Sequence, residues 1–78
     1  MNHPRNTIPT PLMIRRAREL YPEGTRVELV EMNDPQAPPA GTQGTVIGVD
    51  DIGSLMVKWD TGSSLNVLYG IDRVVKVV

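Results

Sequence analysis

A short segment near the C-terminal end contains the residues whose types and spacing most suggest catalysis. Residues 59–64 read W-D-T-G-S-S, and Asp-Thr-Gly is the form in which aspartic proteases present a catalytic carboxylate. Such chemistry needs two carboxylates that share one proton, so a chain with one motif would have to dimerise. Only sixteen residues follow Gly62, which is too few for the flap and the supporting apolar segment of such a protomer.

A turn accounts for the same residues more simply. Residues 55–60 alternate between apolar and polar side chains, as a half-buried strand does. Asp-x-Gly after such a strand is typical hairpin chemistry, because Asp tolerates turn geometry and Gly supplies a positive φ. We therefore interpret Asp60 as a turn residue.

The remaining candidates for catalysis or metal binding are weaker. His3 is the only histidine and cysteine is absent, so one chain cannot assemble a catalytic triad or a histidine-based or thiolate metal site. Asp50 and Asp51 would lie roughly 16 Å from Asp60, at the opposite end of the intervening strand. The glycine-rich segment 41–45 is followed by no helix and no lysine, so it does not match a phosphate-binding loop. The sequence predicts a protein without catalytic residues, metal or cofactor.

The chain divides into three parts. Residues 1–9 are polar and contain prolines, which predicts a flexible N-terminal leader. Residues 10–22 are predicted to form an amphipathic helix, with Thr10 as the capping residue and Pro11 in the first turn. Residues 24–78 have a strand-like period and form the predicted β domain.

The predicted helix has one apolar stripe that must be buried. The stripe consists of Met13, Ala17 and Leu20, and it is flanked by Ile14 and Tyr21. Two arrangements would bury it: the helix closes an open end of its own β domain, or it packs on a neighbouring subunit. We favour the first.

Five short strands are predicted, and they lie at residues 26–32, 45–49, 55–59, 64–68 and 73–78. Segment 33–41 contains three prolines and is a long exposed loop. Gly48 marks a bulge or a close approach of the backbone, and the last strand is apolar enough to be covered on both faces. The predicted fold is mainly β, a small five-stranded SH3-like barrel with one N-terminal amphipathic α-helix.

The charge balance argues against a dedicated nucleic-acid-binding protein. The net charge is −1 and the isoelectric point is about 5.7. Up to Pro22, four arginines stand against one glutamate, whereas from Glu23 onward four cations stand against eight carboxylates. This asymmetry suits self-association or the orientation of a partner. The lack of cysteine and of any membrane-spanning apolar run predicts a cytoplasmic protein.

Three successive segments resemble a known family. They read Y-P-E-G-T-R-V-E-L-V-E-M-N-D-P at 21–35, P-A-G-T-Q-G-T-V-I-G-V-D-D-I-G at 39–53 and V-K-W-D-T-G-S-S-L at 57–65. The series is similar to the small bacterial proteins of domain of unknown function 4314, often encoded by phages and other mobile elements. The resemblance implies an SH3-like barrel in the cytosol of a bacterial host, and it implies no particular chemistry.

The first functional hypothesis is a non-catalytic module that binds a protein partner. Barrels of this type commonly bind through long loops and exposed aromatic residues, here Asn33, Asp34, Trp59 and Tyr69. For Trp59, both packing in the core and an exposed binding platform remain open, and the same holds for Tyr69.

Two further hypotheses use the basic helix. In one, a phage anti-defence protein sequesters a nucleotide-type signalling molecule at the interface of a homo-oligomer formed through the helix. Its phosphates would meet the arginines Arg15, Arg16 and Arg18. In the other, these arginines and Arg5 bind nucleic acid.

Overall fold

The computed structural model describes residues 10–77. The predicted leader 1–9 lies outside the described residues, as does Val78. One helix precedes one sheet of five antiparallel strands, in the order β4-β3-β2-β1-β5. The elements are α1 (Pro11–Leu20), β1 (Arg26–Glu31), β2 (Gln43–Val49), β3 (Ser54–Trp59), β4 (Val67–Leu68) and β5 (Arg73–Lys76). The predicted mainly-β architecture with an N-terminal helix is confirmed.

The helix begins and ends where its sequence signals predict. The Thr10 hydroxyl oxygen accepts a hydrogen bond from the Met13 N–H at 3.2 Å, and Pro11 occupies the first turn, where its missing N–H is not needed. At the other end, the Tyr21 N–H donates to the Ala17 carbonyl. Tyr21 precedes a proline, which disfavours a further helical residue.

The helix packs against the sheet of its own chain, which is the arrangement favoured from the sequence. Ala17 is fully buried in the same core as the strands, and Met13 and Ile14 are half-buried. Leu20 is 41 % exposed, however, so its predicted burial is wrong. The buried arc is centred between Ala17 and Tyr21, and at 3.6 residues per turn Leu20 falls at its margin.

The sheet is open, and the predicted closure into a barrel is not found. Strands β4 and β5 are its two edges, and within residues 10–77 no ladder joins them. The link between them is only residues 69–72, and it turns tightly: the Leu68 carbonyl accepts the N–H groups of Ile71 and Asp72 at 3.0 and 2.9 Å. Because so short a link connects the two edges, the sheet must curl strongly.

The fourth strand is shorter than predicted. Residues 64–66 do not pair with a neighbouring strand, and β4 contains two residues. The backbone before β4 is bound to Trp59 instead: the Trp59 N–H donates to the Ser63 carbonyl at 2.8 Å, and the indole N–H donates to the Leu65 carbonyl at 2.9 Å.

The prediction that both faces of the last strand are covered is wrong, because three of the four residues of β5 are exposed. Among the described residues, strand β5 pairs only with β1. Val75 is 49 % exposed and Val77 is 36 % exposed. Burial among the described residues of one chain therefore does not explain the apolar sequence of β5.

The core is built around Trp59, whose side chain is 1 % exposed. In the sheet register Gly44 lies directly opposite Trp59. A Cβ on Gly44 would stand 2.8 Å from the Trp59 ring, 2.8 Å from a Val57 methyl group and 2.9 Å from the Lys58 carbonyl oxygen. The indole thus occupies the space that any other residue at 44 would need. The buried apolar residues are Ala17, Val27, Leu29, Val46, Leu55, Val57, Trp59 and Val67.

Replacing Gly44 by alanine should destabilise the protein. The added methyl group meets a backbone oxygen and two packed side chains that cannot move away freely, so we expect a loss of about 1–3 kcal/mol in the free energy of unfolding. Urea denaturation, followed through the fluorescence of Trp59, measures it.

Gly48→Ala is the matched control. Gly48 lies at the predicted bulge, where the register shifts between Val46 and Gly48. Its added Cβ would meet only the terminal methyl group of Met56 at 2.9 Å, and that flexible end can rotate away. Equal denaturation midpoints for the two variants would contradict the proposed role of the Gly44–Trp59 contact.

Candidate functional site

A groove of about 570 Å³ opens where three irregular segments meet. One segment follows β1, one precedes β4 and one connects β4 to β5. The lining residues are Met32, Asn33, Asp34, Ser64, Leu65, Asn66, Leu68, Ile71 and Asp72. Two of the residues predicted to bind a partner, Asn33 and Asp34, are among them.

The sheet topology brings these segments together. Strand β5 runs antiparallel to β1, with Arg73 opposite Glu31. The residues just before β5 therefore lie beside the residues just after β1. The tight link 69–72 keeps Leu68, the last residue of β4, close to the start of β5.

Trp59 shapes one wall of the groove from beneath. Its indole N–H holds the Leu65 carbonyl, and the Ser63 hydroxyl accepts the Leu65 N–H at 3.3 Å. Ser64, Leu65 and Asn66 are thereby fixed in a conformation that is not a strand. Because Trp59 is buried, the packing interpretation holds and the exposed binding platform is ruled out.

The groove combines apolar side chains with negative charge. Met32, Leu65, Leu68 and Ile71 supply the apolar surface, and both charged lining residues are acidic: Asp34 and Asp72.

Backbone contacts fix both carboxylates. One Asp34 oxygen accepts the Gln36 N–H at 2.8 Å, and one Asp72 oxygen accepts the Leu68 N–H at 2.9 Å. Each carboxylate has a second oxygen that can accept a donor from a ligand.

Tyr69 lies outside the groove lining and is half-buried against the core. Its ring meets that of Tyr21 edge to face, with centroids 6.3 Å apart. The ammonium group of Lys76 stands 5.5 Å from the centre of the Tyr21 ring. Burial, followed by the proximity of Tyr69, raises the pKa of Tyr21. The contact between the Tyr21 and Tyr69 rings links the end of the helix to the segment between β4 and β5.

The helix arginines are not brought to the groove. Arg15 and Arg16 are exposed on α1. Arg18 donates to an Asp51 carboxylate oxygen at 3.3 Å and to the Val49 carbonyl at 3.4 Å. Arg18 therefore links the helix to the turn between β2 and β3.

Asp60 has the turn role that the sequence predicts. Gly62 has φ 99° and donates its N–H to the Trp59 carbonyl, which closes the turn. Arg26 donates hydrogen bonds to both oxygens of the Asp60 carboxylate, at 2.9 and 2.6 Å. The same guanidinium also donates to the side chains of Gln43 and Thr45, so these contacts join β1, β2 and the turn after β3.

The hydrogen bond from Arg26 is the main cause that lowers the pKa of Asp60. The same bond raises the pKa of Arg26. The pair therefore stays ionised at neutral pH, and its two parallel hydrogen bonds have the geometry that an arginine fork provides.

The three aspartates weighed as a cation site are separated as predicted. Asp50 and Asp51 lie in the turn before β3, and Asp60 follows β3. Asp50 accepts the N–H groups of Ile52 and Ser54 and so shapes its own turn. Within residues 10–77, no three histidine, cysteine or acidic side chains are grouped closely enough to hold a metal ion.

Sequence reasoning missed most of the groove. Residues 64–66 are part of the predicted fourth strand, because Ser64, Leu65 and Asn66 alternate between polar and apolar side chains. Ile71 and Asp72 lie between the fourth and fifth predicted strands. Ile71 and Asp72, an apolar and an acidic residue in a four-residue turn, indicate the groove once the pairing of β5 with β1 is known.

The fold and the groove define the class: a small mainly-β protein with a curled antiparallel sheet, a helix packed on it and a surface groove. The family described as Domain of unknown function (DUF4314) matches residues 10–77, and the chain belongs to this family. Neither the curated proteins nor the solved structures contain a match to the chain. In the part of the chain that the structure describes, no helix is long and apolar enough to cross a membrane.

The ion pair of Asp60 with Arg26 should make part of the stability depend on pH. An unfolded aspartate titrates at a pH of about 3.9, and the folded pKa lies below that value. The contribution is therefore complete above about pH 5 and is lost as the pH falls through the folded pKa. Asp60→Asn should lower the denaturation midpoint at pH 7, and the difference from the unchanged protein should vanish in acid.

Arg26→Lys keeps the positive charge but loses the two parallel hydrogen bonds. Arg26→Lys should therefore reduce the pH-dependent part of the stability. Added salt should reduce the same part in the unchanged protein, because the ion pair is partly exposed. A difference between Asp60→Asn and the unchanged protein that stays constant from pH 7 to pH 2 would show that the turn geometry, and not the charge, is responsible.

Proposed function

We propose that this chain is a non-catalytic binding module that takes an extended segment of a protein partner in its groove. The observation that carries the proposal is the composition of the lining: four apolar side chains lie beside two carboxylates and no cation. A segment that carries lysine or arginine next to aliphatic residues matches both features.

A groove of about 570 Å³ accommodates a peptide segment better than a large flat surface of a partner. Hydrogen bonds hold the backbone of its walls. The Leu65 carbonyl accepts the Trp59 indole N–H, and the N–H groups of Gln36 and Leu68 donate to the carboxylates of Asp34 and Asp72. A groove held in this way needs little rearrangement on binding, which limits the entropic cost.

The family resemblance adds the finer parts of the proposal. We take the curled sheet with its short link between the edge strands as an open variant of the SH3-like fold. Proteins with that fold often act as binding modules. The mobile-element setting implies a partner in the cytosol of a bacterial host.

Two paired substitutions test the groove. Ile71 is 52 % exposed in the lining, and Ile52 is 66 % exposed in the turn between β2 and β3, outside the lining. Ile71→Ser should weaken binding by roughly five- to thirtyfold, the equivalent of about 1–2 kcal/mol of apolar burial. Ile52→Ser should leave the affinity unchanged, because Ile52 lies outside the groove.

The charge is tested in the same way. Asp34→Asn keeps an acceptor for the Gln36 N–H but removes the negative charge, and we expect roughly fivefold weaker binding that is less sensitive to salt. Glu23→Gln, an exposed acidic residue outside the lining, is the control.

The probe is the tightest-binding sequence selected from a random peptide library on the immobilised protein. Its affinity for each variant is measured by fluorescence anisotropy. Selected peptides should combine basic and aliphatic residues. Acidic peptides, or affinities that respond to Ile52 and Glu23 as much as to Ile71 and Asp34, would contradict the proposal.

A further inference from the structure

The free edge of β5 offers a second surface, separate from the groove. In an antiparallel pair, residues that exchange backbone hydrogen bonds alternate with residues that do not. The Val77 N–H donates to the Arg26 carbonyl at 3.0 Å, and Val75 lies opposite Glu28. Val75 and Val77 therefore direct their backbone groups toward β1.

Val74 and Lys76 alternate with these residues, and their backbone groups point the other way. The N–H and C=O groups of Val74 and Lys76 are directed away from β1, toward the open side of the sheet. β1 is the only strand that pairs with β5 within residues 10–77. Four backbone hydrogen-bonding groups are thus presented in strand geometry at one edge.

The side chains of this edge specify the chemistry of an occupant. Val75 and Val77 are partly exposed on one face of the strand. Both charged residues of β5 are cations, Arg73 and Lys76, and both are exposed. Arg73 lies 4.0 Å from a Glu31 carboxylate oxygen, so Lys76 supplies most of the positive charge. Two β5 edges brought together would join two Lys76 ammonium groups, so a second copy of this chain is disfavoured.

We infer that the β5 edge binds an extended acidic segment of another protein by strand addition. Four backbone groups, those of Val74 and Lys76, exchange hydrogen bonds with the added strand. Aliphatic residues of the segment cover Val75 and Val77, and alternate carboxylates lie beside Lys76. The groove accepts the opposite charge, so the two surfaces select different segments and neither site depends on the other.

The test uses two synthetic peptides with the full-length, nitrogen-15-labelled protein. One peptide is a capped ten-residue repeat of valine and glutamate, and the other has lysine in place of glutamate. Amide NMR spectra are recorded as each peptide is added. The glutamate peptide should shift the Val74 and Lys76 amide signals and slow their hydrogen exchange, and the lysine peptide should not.

Substitutions separate the backbone contribution from the charge. Val74→Pro removes one outward N–H, and proline is tolerated on an edge strand, so it should abolish the response. Val74→Ala keeps the N–H and should retain the response. Lys76→Glu should weaken binding by up to roughly fivefold, whereas Lys58→Glu, an exposed cation on β3, should not. If Val74→Pro does not fold, the Lys76 and Lys58 pair decides.

Three results would overturn the inference. One is the absence of any shift at millimolar glutamate peptide. Another is an equal response to the lysine peptide, which would remove the role of charge. The third is a concentration-dependent shift of the Val74 and Lys76 amides without peptide, which would identify a second copy as the occupant.

Discussion

The close contact between Trp59 and the backbone at Gly44 is the constraint on which the rest of the structure depends. The chain has no phenylalanine and only one tryptophan, so one indole provides much of the volume of a small core. It fits because Gly44, directly opposite in the sheet, has no side chain. The buried indole N–H must then find an acceptor, and it finds the Leu65 carbonyl. That bond holds the chain before β4 out of the strand conformation.

The groove and the open β5 edge follow from how this core is enclosed. A sheet that curls around Trp59 but does not close leaves two edges, joined by residues 69–72. At one end the loops meet and form an acidic, apolar groove. Along β5 the backbone remains open and the charged side chains are basic. The net charge of −1 is therefore the sum of surfaces with opposite sign.

The sequence predicts the elements better than it predicts the site. The helix is predictable because Thr10 and Pro11 act locally, and the turn at Asp60 because Gly62 requires a positive φ. The burial of Trp59, the edge position of β5 and the groove depend on which strands become neighbours. Alternation along one strand does not contain that information. The sequence predicts Asn33 as part of a binding loop because long loops often carry such residues, and the structure places it in the lining of the groove.

The most direct test of this account is the hydrogen exchange rate of the Trp59 indole N–H, which gives a single NMR signal because the chain has one tryptophan. If the indole is buried and bonded to Leu65, its exchange should be as slow as that of the core amides in β3, opening only with global unfolding. An indole N–H that exchanges as fast as that of an exposed tryptophan would contradict the account, because the wall of the groove would then have no anchor in the core.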